Sequence, residues 1–351
     1  MQTMRVSLVR GLLHVLLAAA AFSSARAAEP LAPQTKPADE PLLPTFSARK
    51  AAEFLDAGAR AHEQKCLNCR ATFTYLVARP ALPIPSAKHA EVRSSLEKFS
   101  AELAALKLND ASHPRNIAQT VMTGAVLAQH DAATSGKLQP VTRQALDRMW
   151  QVQQKDGGYN WLKPEGAPPS AVDDHFGATM AAIGAGLAPD GYANTPSARA
   201  GLKKIRGYLR LHPPQTMHQR AMLLLADHCA GGLMDQASRR QTVADLFALQ
   251  RPDGGWAMAA LGNWKRKDGS PQDLTTSDGY GTSFSVYVLR FAAQVPADDP
   301  RIRRAVTWLK TRQRAGGGWY TRSPKNSDEI STYVGTAYAI LALKSCGEIP
   351  F

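Results

Sequence analysis

Gln250-Arg251-Pro252-Asp253-Gly254-Gly255-Trp256 returns as Gln313-Arg314-Ala315-Gly316-Gly317-Gly318-Trp319 and as Gln153-Gln154-Lys155-Asp156-Gly157-Gly158-Tyr159. Each copy places three residues between a glutamine and a Gly-Gly-aromatic run, the third of them in the second copy being a further glycine, Gly316. Each follows apolar residues at helical spacing, such as Val243, Leu246, Phe247 and Leu249, or Ile302, Val306, Trp308 and Leu309. After a loop of variable length comes a second, more apolar stretch that opens on Gly177-Ala178-Thr179, Gly281-Thr282-Ser283 or Gly335-Thr336-Ala337. Self-similarity of this kind marks a repeated supersecondary unit that buries its apolar face against its neighbours.

The physical reading of one unit is a helix with one polar face, a glycine turn, a loop and a buried helix. Glycine stops the first helix because it takes backbone conformations closed to other residues. The second helix, as in GATMAAIGAGL or GTAYAILAL, is small or apolar nearly all round, which belongs in an interior. Three weaker pairs complete the pattern at residues 48–64 with 70–79, 88–107 with 114–130, and 197–211 with 216–231. Six helical hairpins predict an all-α chain folded as a single (α/α)6 toroid over 47–351. Counting hairpins leaves an open solenoid as the alternative.

The Gln-x3-Gly-Gly-Trp segments resemble the QW repeats of squalene–hopene cyclases, and the hairpins resemble the toroid of protein prenyltransferase β subunits. The likeness implies that Gln153, Gln250, Gln313, Trp256 and Trp319 are structural, tying the end of an outer helix to the loop after it. Tyr159 stands where the other copies carry tryptophan.

In a toroid the inner helices run in one direction, so their N-terminal ends meet at one mouth. That places Cys66 and Cys69, Asp173-Asp174-His175, His218, Asp278 with Tyr280, and Asp328-Glu329 with Tyr333 as neighbours. Each aspartate suits a helix N-cap, and several carboxylates on one rim also suit raised pKa values or a bound cation. The cyclases carry DxDD near this place, and its middle acid protonates an alkene. The resemblance therefore implies Asp173 as the acid, with Asp174 beside it and His175 as a hydrogen-bonding partner. Ala171 occupies the position of the leading Asp.

An apolar bore with Phe73, Tyr75, Phe176, Phe284, Tyr287 and Tyr338 on inner helices would receive an isoprenoid-like substrate. The chemistry implied is metal-independent, of terpenoid cyclase or isomerase type, and no cofactor is expected. Zinc-dependent prenyl transfer lacks its ligands, since no histidine follows His228. Cys66-Leu67-Asn68-Cys69 reads as a local disulfide, a redox pair or half of a metal site. Arg70 replaces the histidine that haem attachment would require. The rival reading is a non-catalytic binding or scaffold protein stapled by that CxxC. Glycan processing, with Trp161, Tyr280 and Tyr320 stacking on sugars, is a third.

Outside the repeats, Arg5 and Arg10 lead into an apolar run that ends on Ala25-Arg26-Ala27, the pattern of a signal peptide over 1–27 and of an exported protein. A proline-rich linker is expected over 28–46. Of the formal +13, three charges sit at Arg5, Arg10 and Arg26. The remaining basic residues are scattered as short pairs on helix faces, without the aromatic-interleaved stripe that nucleic acid demands. Met258, Leu261 and Trp264 beside Lys265-Arg266-Lys267 suggest a peripheral contact with an anionic membrane.

Overall fold

The computed structural model describes residues 38–63, 70–162, 173–266, 268–324 and 328–350. Among them the chain forms six hairpins. They are α1 (Ala48–Glu63) with α2 (Arg70–Ala78), and α3 (Ala87–Ala105) with α5 (Pro114–Ala133) through the short α4 (Leu108–Ala111). Then come α6 (Pro140–Gln151) with α7 (Asp174–Leu187), and α8 (Pro196–Leu211) with α9 (Met217–Ala230). The last two are α10 (Gln236–Ala248) with α11 (Gly279–Tyr287), and α12 (Pro300–Thr311) with α13 (Asp328–Ser345). No strand occurs among the described residues; one isolated bridge joins Leu42 to Arg314.

The two helices of a hairpin differ in the way their composition dictates. On outer helix α12 only Ile302, Ala305, Val306, Trp308 and Leu309 are buried, one stripe on an otherwise charged helix. Inner helix α7 is buried without interruption from His175 to Ala185. Caps and prolines fix the starts: Thr195 accepts from Ala198 N–H ahead of Pro196, and Asp299 accepts from Arg301 N–H ahead of Pro300.

The inner helices close a ring. α2 packs on α5, α5 on α7, and α7 on α9. α9 meets the π-helical continuation of α11 (Val288–Ala292), α11 packs on α13, and α13 returns to α2. That last contact removes the open solenoid.

The repeated glutamines bind more than their own turns. Gln153 Nε2 donates to Gly157 O at 3.0 Å and to Gly201 O, in the next outer helix, at 3.1 Å. Gln250 does the same to Gly254 O and Arg301 O, and Gln313 to Gly317 O and Ser47 O. The first glycine of each pair lies at φ +97, +92 or +99 for Gly157, Gly254 and Gly317. A Cβ there would stand 2.1–2.7 Å from Lys204 O, Arg304 O or Lys50 O. Glycine therefore serves two purposes at this position: a left-handed backbone and contact with the neighbouring helix. Trp256 Nε1 and Trp319 Nε1 each donate at 2.7 Å to the preceding outer helix, at Leu246 O and Leu309 O. Their backbone N–H groups donate to Thr282 and Thr336, the hydroxyls of the Gly-Thr steps.

Residues 41–46, read from sequence as the end of a linker, are docked on the last repeat. Leu43 N–H donates to Gln313 O, and Ala315 N–H to Pro41 O, both at 2.8 Å. The signal-peptide reading over 1–27 and the first part of the linker lie outside the described residues. No helix among the described residues is long and apolar enough to cross a membrane.

Candidate functional site

The bore of the ring holds a cavity of about 80 Å³ to which all six inner helices contribute. Its two walls differ. α5, α7 and α9 supply aliphatic and sulfur-bearing side chains, among them Met122, Met180 and Met222 with Val126, Ile183 and Leu225. The wall from α11 and its continuation and α13 supplies Tyr280, Tyr287, Phe291 and Tyr338. Tyr338 stands edge-on to both Tyr280 and Phe284, with centroids 5.4 and 5.5 Å apart, and Tyr287 stacks on Phe291 at 5.1 Å. An apolar void of about 150 Å³ takes benzene, so this bore admits only a slim chain until its methionines move. Met is the side chain best able to do so.

Above the cavity, towards the N-terminal ends of the inner helices, the lining becomes polar. His218 Nε2 lies 3.0 Å from the Tyr280 hydroxyl, and the His218 ring stacks on Phe284 at 4.9 Å. Trp264 covers His218 edge-on at 5.5 Å. Burial, aided by nearby His175, pushes the His218 imidazole down to about 3. His175 is itself 6% exposed, and neither ring nitrogen has a hydrogen-bond partner. Burial lowers it to about 4, against an opposing pull from Asp173. Both imidazoles are therefore neutral at neutral pH.

The aspartates expected at the mouth are each absorbed by local structure. Asp173 caps α7, accepting from Phe176 N–H at 2.8 Å, and its other oxygen accepts from Gln219 Nε2 at 2.9 Å. Asp174 accepts from Trp161 N–H at 2.9 Å. Asp278 caps α11 through Gly281 N–H and also accepts from Met258 N–H at 2.6 Å. Burial outweighs those bonds and pushes its carboxyl up to about 7. Asp328 accepts from the Tyr320 hydroxyl and Ser323 N–H, while Glu329 is exposed. Asp173, Asp278 and Asp328 thus hold three separate loops and make no shared acidic cluster.

Other expectations need correction. Tyr333 faces away from the mouth: its hydroxyl donates to Leu55 O at 2.8 Å and its ring packs on Phe54, bonding α13 to α1. Helical periodicity puts Tyr333 and Val334 on different sides, and it is Val334 that lines the bore. The apolar loop read as a membrane contact is core. Met258 and Leu261 are each 0% exposed, Trp264 covers His218, and Arg266 donates to Asp268, Ser270 and Ser323 O. Lys265 is exposed, and Lys267 lies outside the described residues. Trp161 and Tyr280, proposed for sugar stacking, are each 1% exposed and have no face to offer a glycan. Cys66 and Cys69 lie outside the described residues.

Sequence reasoning missed the methionines of the bore, the placing of Cys229 in it, and Gln219 as the residue that engages Asp173. The i, i+3, i+7 series Met180, Ile183, Leu187 was a readable signal for one inward stripe. Gln219 was also readable, as the fourth residue of a Thr216-x-x-Gln219 capping box.

Residues 275–350, which hold the last glutamine–tryptophan repeat, match the squalene-hopene cyclase C-terminal domain. A stretch of 114 residues is 35% identical to the squalene–hopene cyclase of Bradyrhizobium diazoefficiens. That stretch is 30% of this chain and spans only 15% of the length of the cyclase. Among solved structures, the type II terpene cyclase MstE from Scytonema is 13% identical over 86% of this chain and 99% of its own, with a TM-score of 0.49. The ent-copalyl diphosphate synthase of Streptomyces platensis is 16% identical over 79% of this chain and 50% of its own, also at 0.49.

Proposed function

We propose that this squalene-cyclase-like toroid is an exported protein that binds a slim, isoprenoid-like apolar chain along its bore. The observation that carries the reading is the cavity itself, lined from all six inner helices by side chains that are overwhelmingly aliphatic, aromatic or thioether. Removing an apolar chain from water into such a bore contributes roughly 25 cal/mol per Å² of chain surface. Binding is favoured over acid-initiated cyclisation because both Asp173 oxygens accept hydrogen bonds from Phe176 N–H and Gln219. Asp173 is also not among the side chains that line the cavity.

The test incubates purified protein with geranylgeraniol and with squalene, and measures retained chain by mass spectrometry after gel filtration. Stoichiometric retention that falls at least tenfold in Val126→Phe, with an unchanged melting profile, supports the reading. Absence of retention of either chain overturns it.

Acid chemistry by Asp173, with Asp174 and His175 beside it, is the second reading. It is favoured by the two unpartnered nitrogens of buried His175. Conversion of squalene to a cyclic product, abolished in Asp173→Asn, would establish it. Product formation that survives the substitution would remove Asp173 as the acid.

A further inference from the structure

The bore is apolar but not purely hydrocarbon. Tyr280, Tyr287 and Tyr338 bring three phenols to one wall, with Tyr287 and Tyr338 ring centroids 5.9 Å apart. The Tyr280 hydroxyl is engaged by His218. Those of Tyr287 and Tyr338 have no hydrogen-bond partner among the described residues. Both residues are only partly buried although they sit inside the ring, and the space they face is the cavity they line. Thr74 and Gln129 are the other oxygen-bearing side chains of the lining, and no hydrogen bond joins either to Tyr287 or Tyr338; a phenol in such a mostly apolar bore costs desolvation energy unless its O–H finds an acceptor. Phenylalanine would pack the same wall without that cost.

Two further observations fix the kind of group these hydroxyls would meet. No Lys, Arg, His, Asp or Glu lines the cavity among the described residues. A diphosphate or carboxylate drawn inside would therefore lie unpaired in a low-dielectric site, which is strongly disfavoured. The phenols themselves stay protonated: burial pushes Tyr338 up to about 12 and moves Tyr287 upward as well. They are therefore neutral donors, and what suits them is a neutral oxygen acceptor.

We infer that the chain taken by the bore is an oxygenated isoprenoid, carrying one neutral carbonyl or hydroxyl oxygen that accepts hydrogen bonds from Tyr287 and Tyr338. This rests on the bore as the binding site and narrows what enters it: a neutral oxygenated chain in preference to a hydrocarbon or a prenyl diphosphate.

The test compares three probes of matched length by equilibrium retention: farnesylacetone, the same skeleton with its carbonyl reduced to methylene, and farnesyl diphosphate. The ketone is expected to bind about tenfold more tightly than the hydrocarbon, the worth of one well-made neutral hydrogen bond. The diphosphate is expected to bind more weakly than either. In the double variant Tyr287→Phe/Tyr338→Phe, which keeps both rings, the ketone preference should vanish while hydrocarbon affinity holds. Equal affinity for ketone and hydrocarbon in the parent protein overturns the inference and leaves the bore as a binding site. So does a preference that persists in the double variant. Failure of both neutral probes to bind overturns the binding reading and this inference with it.

Discussion

Gln313 and Ser47, 266 residues apart, are joined twice: Ser47 N–H donates to Gln313 Oε1 at 2.7 Å, and Gln313 Nε2 donates to Ser47 O at 3.0 Å. With the third bond, to Gly317 O at 2.9 Å, the amide uses both of its donors and its acceptor at the seam where the ring closes.

Gln313→Ala should therefore cost more than the usual surface change. It would orphan Ser47 N–H and two carbonyls around a side chain that is 0% exposed. A loss of roughly 2–4 kcal/mol is expected in urea unfolding. Gln250→Ala, whose bond to Arg301 O is solvent-exposed, should cost less. Equal losses at the two positions would mean that the closing seam has no special weight.

Gly317→Ala and Gly136→Ala separate backbone strain from steric contact. Both glycines have positive φ, +99 and +64, but a Cβ on Gly317 would lie 2.1 Å from Lys50 O while one on Gly136 meets nothing within 4 Å. The first substitution should cost roughly 2–5 kcal/mol and the second about 1. Comparable melting shifts for the two would contradict the close approach of α1 to the last turn.

Stability should rise with pH between about 4 and 6.5. Burial, then Arg93 and His89, lowers His130 to about 4, and His89 is lowered too, by burial first. Arg93 only donates, so its contact with His130 Nδ1 leaves Nε2 as the N–H that donates to His89 Nε2 at 2.8 Å. Charging either ring breaks that chain beside a guanidinium already paired with Asp131 and Glu97. In this window the unfolded chain binds more protons, so stability from the depressed histidines is present above their unfolded pKa and lost as pH falls. His130 alone accounts for on the order of 3 kcal/mol.

Asp278 has the opposite sign. Its folded pKa near 7 lies above the unfolded value, so its contribution is present at low pH and lost as pH rises towards 7. Asp278→Asn should therefore steepen the rise of unfolding free energy with pH across 4 to 7. An unchanged slope in urea titrations would show that Asp278 is not a buried, titrating cap.

Cys229 reports on the bore directly. It lines the cavity, and burial pushes its thiol up to about 12. Alkylation at pH 8 should be at least about a hundredfold slower in the folded protein than in urea, because thiolate is the reacting species. Peptide mass spectrometry reads the rate at this one position. A rate equal to that of the unfolded chain would mean that the bore stands open to water.

The two legible levels had different physical roots. Helix boundaries are set by local signals: proline at the first turn of α5, α6, α8 and α12, side-chain caps at Thr195 and Thr216, and the apolar stripes at helical spacing from which the hairpins were read. Those signals act over four residues and survive without tertiary context. The repeated glutamine and glycines were equally visible, but their partners were not. Gly201, Arg301 and Ser47 lie 48, 51 and 266 residues from the glutamines that bind them.

The site was the less legible part. Asp173, Asp278 and Asp328 stood out in the sequence because carboxylates near helix starts invite chemistry, yet each is satisfied by backbone or side-chain donors nearby. Met258 and Leu261 looked free to meet a bilayer because a loop's composition does not say which way it folds. The 3-10 turn over Met258–Leu261 points both residues inward. By itself the sequence determined that this protein is a succession of six helical hairpins tied by glutamine and aromatic turns, because periodicity, caps and glycine turns are local. Only the tertiary structure decided that α13 closes on α2, that the acids are caps, and that Tyr287 and Tyr338 turn unpartnered hydroxyls towards a narrow bore. Those outcomes depend on which side chains residues far apart in sequence bring into contact.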